Sequence, residues 1–205
     1  MTHPPLTRDL HRRKGPPPVR FLGDLSLARP RVHEGCGPAR RGFAMLVARA
    51  LEGPVFWIHP GWLPERLNPE GMLRFIAPGR VTFLTLRRPE DLLWTMEESL
   101  RAGLVPLTVI DLPNPPGLTP MRRLQLAAET GAAEGKLPPL GLVLTPGDGG
   151  AQGAESRWHM RGAHDAGQTG WRLSRRRARG EPPAAWRIEA KAGSLSLRPE
   201  EAELA

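Results

Sequence analysis

The sequence predicts an α/β protein: a mostly parallel sheet with helices on both faces, followed by a small C-terminal antiparallel β extension. Three observations lead there. Between residues 31 and 145, short apolar runs of strand length alternate with segments of helical periodicity, the order of a parallel sheet covered on both sides. A glycine-rich break, "PGDGGAQG" at 146–153, then ends the alternation. Beyond it, three segments each place a tryptophan two residues before an apolar residue, which is strand periodicity.

Residues 1–30 include "RRKGPPPVR", with four positive charges and three consecutive prolines. Such a stretch buries too little apolar surface to fold alone and is predicted to be a disordered basic tail. After the "GCGP" turn, Phe43, Leu46, Val47, Ala50 and Leu51 recur at helical spacing and predict the first helix. "PVFWI" (54–58) and "RVTFLTL" (80–86) read as strands, with room between them for one short helix around 71–76. "RPEDLLWTMEESLRAG" (88–103) carries a full set of helix signals. Pro89 suits the first position, Glu90 and Asp91 oppose the N-terminal dipole, Gly103 suits the C-cap, and Leu92, Leu93, Met96 and Leu100 form one face.

"LVPLTVIDL" (104–112) follows as a strand ending in an aspartate. "TPMRRLQLAAETG" (119–131) reads as a helix with Thr119 as N-cap, Pro120 at its first position and Gly131 at its end. "LGLVLT" (140–145) is a fourth buried strand. In the extension (155–189), Trp158 and Met160, Trp171 and Leu173, and Trp186 and Ile188 fall on one face of a predicted meander. Arg157, Arg172 and Arg187 fall on the other. Residues 190–205 are predicted to be an acidic frayed tail, so the domain spans 31–189 with its α/β core at 31–145.

The net charge is +8 with a pI near 11.1, and only three of the 29 basic residues are lysine. Arginine forks suit phosphate and carboxylate, so the balance fits a nucleic-acid or acidic partner as well as it fits a general arginine-rich composition. Cys36 is the only cysteine, which excludes an internal disulfide and a multi-cysteine metal site and fits a reducing compartment. No signal-peptide core and no apolar run of about 18 residues is present, so a cytoplasmic, soluble protein is expected. The six histidines show no ligand spacing, and no serine sits in a G-x-S-x-G setting. Neither a metal site nor a cofactor is expected.

"HEGCGPARRGFAMLVARAL" (33–51) begins like a phosphate-binding loop, G-x-x-x-x-G-K-[ST], whose amides wrap phosphates, whose lysine neutralises them and whose hydroxyl holds Mg²⁺. Gly35 opens such a pattern, but Arg40, Arg41 and Gly42 fill the glycine, lysine and hydroxyl slots. Asp111, at the end of "LTVID", stands where a P-loop ATPase holds its second Mg²⁺ contact. Arg41 can supply charge at the lysine slot, but Gly42 has no hydroxyl for Mg²⁺ and Arg40 carries a Cβ where phosphate approach favours none. The turn reads as the remnant of a nucleotide site, without catalytic residues.

The segments "RVHEGCGPARR", "VFWIHPGWLPERL", "LLWTMEESLRAG", "RRLQLAAE", "GLVLT" and "ESRWHM", with the Arg/Trp strands after them, resemble the ImuA family over residues 31–189. These are RecA-like, SulA-related proteins of bacterial damage-induced mutagenesis. The resemblance implies a RecA-like core without ATPase activity, acting in error-prone translesion synthesis and the SOS response. The partners it implies are an ImuB-like protein and a DnaE-type error-prone polymerase, with RecA and single-stranded DNA as further candidates. At the place of the catalytic glutamate of RecA-like ATPases, this chain has Gly61. Two alternatives remain open: a weak nucleotide-binding switch, and a SulA-like division inhibitor that binds FtsZ.

Candidate contact residues for DNA or partners come in two groups. Arg122 and Arg123 sit in the first turn of their helix, where positive charge opposes the dipole unless an anion meets it. Arg175, Arg176, Arg177 and Arg179 in "SRRRAR" read either as a solvated strand edge or as a phosphate-contacting patch. Of the acidic pairs, Glu90/Asp91 complements a helix dipole and Glu97/Glu98 is expected on a solvated face.

Overall fold

The computed structural model describes residues 15–164, 169–191 and 194–201. In chain order the elements are β1 (Val19–Leu22), β2 (Leu25–Leu27), β3 (Arg31–Cys36), α1 (Arg40–Arg49), β4 (Val55–Pro60), α2 (Pro69–Met72), β5 (Val81–Leu86) and α3 (Pro89–Ala102). There follow β6 (Leu107–Asp111), α4 (Leu118–Glu134), β7 (Leu140–Thr145), β8 (Ser156–Gly162), β9 (Gly170–Ala178), β10 (Ala184–Lys191) and β11 (Ser194–Glu200). Among the described residues, nine strands form one sheet in the order β11-β10-β9-β8-β3-β7-β6-β4-β5. The six from β8 to β5 are parallel, and β9 to β11 continue as an antiparallel meander.

The expected α/β class is borne out. Helices cover both faces of the parallel part: α1 packs with Trp57, Val109, Leu142 and Leu144 on one side, and α3 and α4 pack with Val32, Ile58, Ile110 and Val143 on the other. Gly103 ends α3 in the left-handed conformation at φ 56°, as its sequence position predicts. The expected limits of the next helix are too short. Gly117, not Thr119, holds the N-cap position of α4, and the helix runs through Gly131 to Glu134. Gly131 is buried inside it because the backbone of Leu100 and Gly103 presses against its Cα, leaving no room for a side chain.

Both expected tails need correction where they are described. β1 and β2 pair as a hairpin, with Val19, Phe21, Leu25 and Leu27 buried on one face. Phe21 meets Phe43 and Trp158 edge-on, with ring centroids 5.5 and 5.4 Å away. The prolines precede the hairpin rather than interrupt it, so four alternating apolar side chains suffice to dock it. At the other end β11 pairs along its whole length with β10, and Leu195 and Leu197 pack on the core. Residues 1–14 and 202–205 lie outside the described residues. No described helix is long and apolar enough to cross a membrane.

The strand β3 was not expected, because two charged residues and a histidine mask its pattern. It occupies the centre of the sheet, between β7 and β8. His33 on it is buried and completes a chain of hydrogen bonds. The Trp158 indole N–H donates to Ser156 Oγ at 2.8 Å, and Ser156 Oγ lies 2.6 Å from His33 Nδ1. His33 Nε2 lies 3.0 Å from the Ala28 carbonyl oxygen. A carbonyl only accepts, so Nε2 carries the proton and the Ser156 hydroxyl donates to Nδ1.

Burial pushes the His33 pKa down from 6.5 to about 4; the Ala28 bond raises it and the Arg31 charge lowers it. The folded value is depressed, so between pH 6.5 and about 4 the unfolded chain binds more protons than the folded one. Stability is therefore expected to fall with pH across that window, by about 1.4 kcal/mol per unit of pH. Urea denaturation between pH 7 and 4 measures this, and His33→Gln should flatten the dependence.

Candidate functional site

The phosphate-loop remnant is built from the end of β3, the turn 37–39, the start of α1 and the end of β6. Gly35 does not open a loop. It lies within β3, paired in register with Leu144 and Trp158, and a Cβ there would sit 2.7 Å from the Phe43 ring. The turn itself is committed inside the protein: the Ala39 amide donates to the Met160 carbonyl of β8 at 3.0 Å, and the Arg40 amide to the Gly37 carbonyl at 3.2 Å. These are amides that a phosphate-binding turn directs at its ligand.

The two arginines of the remnant turn onto the aspartate. Arg40 Nε donates to Asp111 Oδ1 at 3.1 Å, and Arg41 Nε to Asp111 Oδ2 at 2.5 Å. Asp111 is buried while both guanidiniums keep some solvent. Two arginines in the first turn of a helix with no acidic residue there oppose the dipole. The Asp111 carboxylate offsets that cost, and β6 brings it there because β6 and β3 flank β7. The site thus holds Gly35, Arg40, Arg41, Gly42 and Asp111 near one another, but the carboxylate that would meet Mg²⁺ carries two guanidiniums instead. Gly61, at the expected place of a catalytic glutamate, donates its amide to the Leu86 carbonyl at 2.7 Å.

A second carboxylate, which the sequence reading missed, lies one strand position before Gly35. Glu34 is fully buried. Its Oε1 accepts from Thr145 Oγ1 at 2.7 Å, the Gly150 amide at 2.8 Å and the Ala151 amide at 2.9 Å. Its Oε2 accepts from Arg157 Nε at 2.5 Å. The glycine-rich loop after β7 is folded over this carboxylate. Gly149 stands at φ 80°, and a Cβ on it would lie 2.7 Å from Glu34 Oε1 and 3.1 Å from Cys36 Sγ. Burial, chiefly, and the Glu34 charge push the Cys36 thiol up to about 12. The only signal in the sequence was a glutamate amid strand residues, which periodicity alone reads as a solvent-facing position.

The candidate contact arginines do not form one patch. On β9 a break in register opposite Arg157 and Trp158 separates them. Arg175 lies over the Trp158 and Trp186 rings, 5.7 and 5.4 Å from their centroids, and pairs with Glu181. Arg176 pairs with Asp148 at 2.9 Å, while Arg177 and Arg179 are exposed. Trp158 is buried with half-buried Trp186 stacked on it, and Trp171 is half-buried against Phe75.

On α4, Arg122 is exposed and Arg123 reaches Glu97 Oε2 at 2.7 Å. Glu97 is buried rather than on a solvated face: it accepts from Arg101 one turn on in α3 at 2.5 Å, and its bond from Arg123 ties α3 to α4. Beside it, a cleft of about 580 Å³ between α3 and α4 is lined by Glu90, Asp91, Trp94 and Pro120, and Trp94 is 58% exposed.

Two stability outcomes follow from these carboxylates. Glu34→Gln leaves the Arg157 guanidinium facing an amide, and is expected to cost about 3 kcal/mol in urea denaturation; adding Arg157→Met should recover part of it. Asp111→Ala takes the carboxylate away from Arg40 and leaves Arg41 with only Glu65, 3.9 Å away. Because both reach solvent, the expected loss is smaller, about 1–2 kcal/mol, and should shrink when salt is raised.

Compared with models of protein families and with curated proteins, the chain gives no match.

Proposed function

We propose that this chain is a RecA-like, ImuA-type accessory protein of error-prone translesion synthesis, non-enzymatic and acting through protein partners and single-stranded DNA. The observation that carries the non-enzymatic part is the pairing of Arg40 and Arg41 with Asp111. A turn whose amide is bonded to Met160 and whose aspartate is neutralised by its own helix is suited to holding β3, β6 and α1 together, not to binding a nucleotide. The ImuA-like stretches supply the pathway. Partner binding is supported by the exposed Trp94 in the α3–α4 cleft, since tryptophan is enriched where protein surfaces meet.

The purified chain is expected to hydrolyse ATP no faster than background, measured by phosphate release. Used as bait, it should capture an ImuB-like protein and a DnaE-type polymerase from a defined mixture that also contains FtsZ. Trp94→Ala should melt like the parent and capture at least tenfold less. Capture of FtsZ alone would replace this reading with the SulA-like one, and ATP turnover abolished by Asp111→Ala would overturn the non-enzymatic part.

A further inference from the structure

The last turn of α1 opens onto a groove separate from both the remnant turn and the α3–α4 cleft. Two cavities of about 370 and 420 Å³ share Arg49, Ser194 and Leu195 and so lie side by side along one groove. One end is walled by Phe75 and Trp171, whose ring centroids are 6.4 Å apart at an angle of 58°. Along the groove stand Arg20 from β1, Arg49 from α1 and Arg74 from the turn after α2.

All three arginines are exposed. Among the described residues none of them has a carboxylate within 4.0 Å, unlike Arg40, Arg41, Arg123, Arg157, Arg175 and Arg176. Arg49 alone has a role within the fold, complementing the C-terminal dipole of α1. Arg20 and Arg74 carry no ion pair among the described residues, and three cations lining one groove repel one another unless an anion joins them.

A cationic groove with an aromatic wall is the arrangement that binds single-stranded nucleic acid. Guanidiniums follow the phosphates, and a base lies on the ring faces. A duplex keeps its bases stacked inside and would leave the aromatic wall unused. An acidic peptide would meet the arginines but offers a planar ring only where it carries an aromatic residue, whereas every nucleotide has one. We infer that this groove is a binding site for single-stranded nucleic acid, with a base against Trp171 and Phe75 and neighbouring phosphates on Arg20, Arg49 and Arg74. The inference gives a place to the DNA contact of the proposed function. Its test reads oligonucleotide binding rather than protein capture, so either can fail alone.

The test uses the full chain and a short fluorescein-labelled oligothymidylate, with anisotropy followed over a range of salt. Replacing Arg20, Arg49 and Arg74 together by Gln should weaken binding at least tenfold. It should also lower the slope of log K against log salt by about 2, since each phosphate contact on a single strand accounts for about 0.7. Melting should fall by no more than a few degrees, about the loss of the one charge at the end of α1. An oligonucleotide carrying 5-bromouracil, irradiated on the unaltered chain, should crosslink to peptides holding Phe75 or Trp171. Unchanged affinity and slope in the triple variant would overturn the inference, as would crosslinks confined to other peptides. Equal displacement of the oligonucleotide by polyglutamate or by inorganic polyphosphate would reduce the groove to a general anion patch and overturn it as well.

Discussion

The Glu34 carboxylate stands on the central strand β3, one strand away from where the parallel sheet turns antiparallel, and the fold is arranged around keeping it satisfied. A buried, unpaired carboxylate would cost several kcal/mol. Here four donors from three segments converge on it: Thr145 at the end of β7, the Gly150 and Ala151 amides of the following loop, and Arg157 on β8. Each donor fixes a piece of chain. The loop must cross the end of β3 closely enough to need glycine at 149, and β8 must enter beside β3 in the register that brings Arg157 to the charge. The next position, Trp158, then points to the opposite face and packs with Phe21 and Phe43. One buried charge thus sets the entry of the meander and, through it, the seat of the N-terminal hairpin.

The same physics recurs at Asp111, with the balance reversed. Glu34 has one cation and three neutral donors, whereas Asp111 has two cations, and the surplus charge lies at the start of α1. The arginines of this basic chain therefore divide by what surrounds them. Some neutralise buried acids, some tie neighbouring elements together through Glu97, Asp148 or Glu181, and a few line a groove with no acid among its described lining residues. Net charge alone does not separate these roles; the partners of each guanidinium do.

Much of the layered architecture was legible in the sequence, because it rests on local signals. The apolar runs of β4, β5, β6 and β7, the dipole and cap residues of α3, and the Trp-x-apolar spacing of the meander all report structure formed by near neighbours. The misreadings share one cause: their stabilising partners are remote in sequence. β3 is central yet polar, because its Glu34 and the Nδ1 of His33 find partners more than 100 positions away. The hairpin and β11 looked like tails, since each has only one apolar face and depends on the core to cover it. At the remnant site the replaced slots at Arg40, Arg41 and Gly42 were readable. The placing of Gly35 inside a strand, and of both guanidiniums on Asp111, was not, because each depends on which strands lie side by side.

Cys36 ends the central strand, beneath the glycine loop, and it is the only thiol in the chain. Folded, it is shielded by burial and by the Glu34 charge; unfolded, it is an ordinary cysteine. The protein therefore carries its own clock. The speed at which a thiol reagent consumes Cys36 counts how often the middle of the sheet comes open, with no dye or added label to disturb it.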